Sequence, residues 1–94
     1  LLDLRTLMPW DRAAVLTSVR KTRRCLIVHE DNLTAGFGAE IAATLACDAF
    51  FDLDAPIERV TMPDVPSPHS PLLLDAVVPS VARIVQAIRT IASV

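Results

Sequence analysis

Between Arg12 and Arg20 the apolar residues Ala13, Ala14, Val15, Leu16 and Val19 form one stripe of a helix rather than an alternation. Pro9 and Asp11 stand before them as a helix entrance, with Asp11 placed to cap free N–H groups. Cys25-Leu26-Ile27-Val28 is then a continuous apolar run, long enough for a strand and short for a helix, and a strand apolar on both faces belongs inside a parallel sheet. It ends in the polar quartet His29-Glu30-Asp31-Asn32. Thr34 leads into a second helix in which Phe37, Ile41 and Leu45, spaced four and four, define one face that also carries Cys47 and Ala49. Asp52, Asp54 and Pro56 interrupt the chain before a second strand, Ile57 to Thr61. Pro63, Pro66, Pro68 and Pro71 make the next segment a shaped loop. Pro79 opens a last helix carrying Val81, Ile84, Val85 and Ile88 at helical spacing. Leu1 to Arg5 reads as a further strand. The order strand, helix, strand, helix, strand, loop, helix predicts a small α/β layered domain whose two apolar strands run parallel, joined by a right-handed crossover.

The 94 residues are 52% hydrophobic, which excludes a disordered chain and suits one small domain, residues 1–94. The apolar stretch from Leu72 to Val78 is broken by Asp75 and ended by Pro79, far short of the roughly 20 residues that cross a bilayer. Asp3 and Arg5 fall where a signal peptide would be uninterruptedly apolar, and a chain that opens directly on a strand without Met is expected to continue a longer polypeptide. Both cysteines lie in apolar segments and are expected to be free, buried thiols. Charge is uneven: residues 1–30 hold six basic against three acidic side chains, residues 31–75 eight acids against Arg59 alone. Nucleic acid is a poor partner for such a surface. The one basic cluster, Arg20 to Arg24, closes a helix, where cations suit the dipole.

Searches for catalytic signatures return nothing. There is no G-x-S-x-G and no phosphate-binding lysine loop, and His29-Glu30 is followed by Leu33 where a zinc-binding H-E-x-x-H needs its second histidine. Metal-ligand spacing is missing among the two His and two Cys. Gly36 and Gly38 form G-x-G with Ile41 where a dinucleotide loop has its third glycine, so a close backbone approach at a helix start is expected there. Two groupings remain: His29-Glu30-Asp31-Asn32 at the carboxyl end of a parallel strand, and Pro66-Ser67-Pro68-His69-Ser70-Pro71 after the next strand, hence on the same edge. A polar turn and a rigid crossover are the plain readings of these two.

Three runs, Asp3-Leu4-Arg5-Thr6-Leu7-Met8-Pro9-Trp10-Asp11, Val28 to Ala42 and Ala55 to Thr61, together with D-x-P-x-P at Asp64, Pro66 and Pro68 and the closing Leu73, Pro79 and Val81, resemble the C-terminal domain of the beta subunit of 2-oxo acid dehydrogenase E1 components. The commoner family form has Gly where Ala35 stands; a Cβ there needs only a little room if the backbone is not left-handed. The resemblance implies a three-layer α/β/α transketolase C-terminal-like domain with a mixed five-stranded sheet, here lacking its first strand and helix. It implies an oxidoreductase of pyruvate, branched-chain or acetoin type, a heterotetramer using thiamine diphosphate and Mg²⁺ bound outside this segment and passing its acyl unit to the lipoyl group of E2. Implied partners are the E1 alpha subunit, a second beta subunit and the E2 peripheral subunit-binding domain, in the cytoplasm or the mitochondrial matrix. On that resemblance the segment alone is inactive, its role is interface and assembly, and the expected docking edge is Arg5, His29, Glu30, Asp31, Asn32 and His69. Arg5 is expected to reach the same edge, where pairing with Asp31 or Asp64 and an exposed arginine paired with nothing are both open. A transketolase-like transferase domain and a stand-alone binding module are the alternatives.

Overall fold

A computed structural model describes residues 1–64 and 70–93. Helix α1 (Arg12–Thr22) is followed by strand β1 (Leu26–Asn32), helix α2 (Phe37–Asp48), a short 3-10 turn (Phe50–Asp52), strand β2 (Glu58–Met62) and helices α3 (Pro71–Val77) and α4 (Val81–Ala92). β1 and β2 pair in parallel, with Leu26 opposite Glu58 and Val28 opposite Val60; the register is irregular between Val28 and Asn32, and Asn32 comes to lie opposite Met62. The expected parallel pairing of the two short apolar runs is thus present, in a sheet that has two strands among the described residues.

The core lies between α1, α2 and β1, where Val15, Val19, Ile27, Ile41, Leu45 and Ala49 are buried. Leu45, at 0% exposure, is its centre. Leu4, Trp10, Phe37, Leu53 and Ile57 pack against this cluster, and the Trp10 and Phe37 rings meet edge to face with centroids 6.1 Å apart. At the amino end of α1 the Asp11 carboxylate accepts the Ala14 N–H at 3.1 Å, the cap its position predicts. At the other end Arg23 takes a left-handed backbone, φ 65°, and its N–H donates to Val19 O.

The basic cluster closing α1 has partners more specific than a helix dipole. Arg20 meets Asp52 and also donates to the Asp48 carbonyl, Arg23 meets Asp54 at 3.0 Å, and Arg24 donates to Ile91 O on α4. Arginines from one helix end therefore bind the 3-10 turn, the segment before β2, and α4.

Several expectations are corrected. Leu1 to Arg5 is not a strand: no ladder forms along it among the described residues, Leu1 and Leu2 are exposed, and only Leu4 reaches the core. β1 does not stop at Val28 but runs through the polar quartet to Asn32, because backbone pairing with β2 is indifferent to side-chain polarity. Val28 is 43% exposed rather than buried, although α4 packs against both strands. Helix α3 was not expected, although Pro71 stands at the first helical position, where the missing N–H is harmless. α4 starts at Val81, with the Ser80 hydroxyl accepting from Arg83 N–H at 3.2 Å, so Pro79 precedes the cap. Both thiols are free, but Cys47 is exposed and Cys25 only half-buried; burial raises the Cys25 pKa. No helix among the described residues is long and apolar enough to cross a membrane.

Candidate functional site at the carboxyl edge of the first strand

β1 delivers His29, Glu30, Asp31 and Asn32 to the carboxyl end of the sheet, and α2 starts directly over them. His29 is half-buried, and its Nε2 is fully buried without a hydrogen-bond partner among the described residues. The reason is the approach of α2. A Cβ added at Gly38 would collide with Nε2 and lie 2.7 Å from Cδ2 of His29, and one added at Gly36 would collide with Asn32 O and lie 3.1 Å from His29 Cε1. The two glycines thus let the helix start sit on the histidine ring. Their φ values are negative, so space and not backbone freedom is what they supply.

Glu30, Asp31 and Asn32 are exposed, and Asp31 Oδ1 accepts the Asn32 N–H at 2.7 Å. The following turn is held from the β2 side. Arg59 Nη1 donates to Leu33 O at 2.7 Å, and the Asp64 carboxylate accepts both the Thr34 N–H, at 2.8 Å, and the Thr34 hydroxyl. The Thr34 hydroxyl bond, then its N–H bond, hold the Asp64 carboxyl below its ordinary pKa of 3.8, with Arg59 adding a weaker Coulombic contribution. Ala35 has φ 60°, so the condition under which its Cβ would be harmless is not met: the backbone there is left-handed.

The six residues expected at one edge are therefore not all together. His29 to Asn32 are contiguous at the end of β1. Arg5 instead faces Asp3, Nε to carboxylate 3.8 Å with both side chains exposed, in an open cleft of about 260 Å³ lined only by residues before and within the first turn of α1. It pairs with neither Asp31 nor Asp64, because Asp64 is occupied by Thr34 and Asp3 is its near neighbour in sequence. His69 lies outside the described residues. Sequence reading missed Thr34 and Arg59 as members of the site. The available signal was a hydroxyl residue two before a G-x-G and a lone arginine in an acidic stretch, facing Asp64 beyond the second strand.

A diphosphate does not fit this edge. The space beside Gly36 and Gly38 that a phosphate loop would leave open is filled by the imidazole of His29 and the Asn32 carbonyl. Among the described residues no group of three or more His, Cys, Asp or Glu is placed to hold a metal ion. What the edge offers chemically is a negative, hydrogen-bonding rim, Glu30, Asp31 and Asn32, on a tightly packed base.

Residues 1–84 match the family of transketolase C-terminal domains. The chain is 57% identical over 68 residues to the 2-oxoisovalerate dehydrogenase subunit beta 2, mitochondrial, of Arabidopsis thaliana, covering 72% of this chain and 19% of that protein. It is 44% identical over 84 residues to the acetoin:2,6-dichlorophenolindophenol oxidoreductase subunit beta of Bacillus subtilis, covering 89% of this chain and 25% of the relative. To the pyruvate dehydrogenase E1 component subunit beta of Rickettsia felis it is 41% identical over 90 residues, 96% of this chain and 28% of that subunit. The chain thus spans 19–28% of the length of these three curated relatives. With 84 of its 94 residues inside the family match, the chain belongs to the transketolase C-terminal domain family.

Proposed function

We propose that this chain serves as the interface and assembly domain of the beta subunit of a 2-oxo acid dehydrogenase E1 component. One observation carries the reading: relatives named for 2-oxoisovalerate, acetoin and pyruvate match most of this segment at 39% identity or more. What such a segment does is common to enzymes with different substrates, so it belongs to architecture and docking rather than to substrate choice. The complete enzyme decarboxylates a 2-oxo acid, or cleaves acetoin, with thiamine diphosphate and Mg²⁺ held outside this segment, and transfers the product to the lipoyl group of E2. The cofactor supplies the carbanion chemistry, and the protein supplies position and field. The partners are the alpha subunit, a second beta subunit and the E2 peripheral subunit-binding domain, in a bacterial cytoplasm or a mitochondrial matrix. The transketolase-like transferase and the stand-alone module have no comparable support.

The docking rim in this reading is Glu30, Asp31 and Asn32 above His29. Its exposed carboxylates suit a basic partner surface. Replacing Glu30 and Asp31 together by Asn in the complete enzyme weakens assembly with alpha or E2 by about 1–3 kcal/mol if the charges are desolvated in the contact, and by much less at its rim. Decarboxylation by tetramer that still forms changes less than overall complex activity. Equal loss of both activities with assembly intact moves these residues toward the active site, and no change in either refutes the docking role.

A further inference from the structure

The turn from β1 to α2 requires a left-handed backbone of Ala35, φ 60°, which an L side chain disfavours and which no group on Ala35 itself can hold. Both flanks of that residue are fastened. On one side Thr34 gives its N–H and its hydroxyl to the two oxygens of Asp64, and the preceding Leu33 carbonyl receives Arg59. On the other, Gly36 lies so close to Asn32 O that no side chain fits between them, and α2 begins at the next residue. Thr34 and Asp64 are 30 residues apart in sequence, so the turn is set from across the end of the sheet and not by its own residues.

We propose that Asp64 is a latch: its carboxylate holds the Ala35 turn in the left-handed conformation and so fixes where α2 starts and how the His29 ring is covered. Opening the latch lets Ala35 relax out of the left-handed region, which pulls Gly36 from Asn32 and loosens the first turn of α2 over His29. The end of β1 and the residues leaving β2 therefore behave as one mechanical unit. The latch concerns the backbone of this chain and stands whether or not the edge docks a partner.

Hydrogen exchange in the complete, assembled beta subunit tests it, read on peptides covering residues 29–39 and, for comparison, α1 and α4. Asp64→Ala speeds exchange in 29–39 by about ten-fold, with α1 and α4 unchanged, as a local opening should. Adding Ala35→Gly to Asp64→Ala returns most of the protection, because glycine occupies the left-handed region without being held. Unchanged exchange in 29–39, uniform acceleration across the chain, or failure of Ala35→Gly to restore protection each overturns the latch. Should Asp64→Ala not fold, Asp64→Asn and Thr34→Val each remove part of the latch and are read in the same way.

Discussion

Helices α2 and α4 are each 12 residues long, yet they use their apolar faces in opposite ways. α2 spends its face on the core: Ile41 and Leu45 are buried, Gly38 and Thr44 are buried beside them, and Phe37 packs edge-on against Trp10. α4 segregates apolar from polar residues more sharply than α2, but only Ile91 is buried, while Val81, Val85 and Ile88, spaced four and three, are exposed, Val81 at 78%. α4 rests on β1 and β2 through its Ile91 end and is tied there by polar bonds, Arg24 to Ile91 O and Arg83 to Thr61 O. Amphipathic patterning reports that a helix has a face to bury. Whether that face is buried depends on what stands opposite, and here the two helices differ in their neighbours rather than in their patterns.

The largest expected effect is at the centre of the first region. Leu45→Ala should destabilise the subunit by about 3–5 kcal/mol, since a fully buried side chain leaves a cavity the packed helices cannot close; denaturant unfolding reads it, and a loss below about 1 kcal/mol would mean α2 is not the keystone. Next comes Gly38→Ala, whose methyl collides with the His29 ring. A loss of about 1–3 kcal/mol is expected, and a second substitution, His29→Ala, should recover much of it, because the two act on the same space. Additive losses in that cycle would show that the ring and the helix start do not compete.

In the second region, Ile88→Ala should change stability by less than about 0.5 kcal/mol if the α4 face is as exposed in the whole subunit as it is in this chain. A loss above about 1 kcal/mol would show that the rest of the subunit covers it, which would erase the contrast with α2. The smallest effect is acid sensitivity at the turn. The Asp64 carboxyl is held below its ordinary value by Thr34, so the folded state binds its proton less readily than the unfolded chain does. Its contribution is therefore fully present above the ordinary value of 3.8 and is lost as pH falls through the lowered one. The turn should loosen in that acid range in the wild type, and Asp64→Ala should remove the pH dependence; an unchanged acid profile in that variant would assign it to other carboxylates.

Much of the framework follows from local pattern. The stripe of Val15 and Val19, the Asp11 cap, the four-and-four face of α2 and the two short apolar strands are legible because each depends on residues within a few positions of one another. The polar quartet was legible as a group, and its family likeness carried it further than its chemistry could. The glycines at 36 and 38 could be read as a close approach, but not which atoms they approach.

Tertiary structure decided the rest. Leu1 to Arg5 has the alternation of a strand and forms none among the described residues, because a strand exists only against a partner ladder. Arg5 chooses Asp3, and Arg20 and Arg23 choose Asp52 and Asp54, since which charges meet is set by how the helices and turns are packed. The bond from Thr34 to Asp64 spans 30 residues, and the left-handed backbone of Ala35 exists only because that bond and the packing of α2 on His29 hold it. Local sequence determined where helices and strands are favourable, since propensity and periodicity act within one element. Contacts across the end of the sheet decided the geometry of the edge, because the energies that settle it belong to pairs of residues brought together by folding.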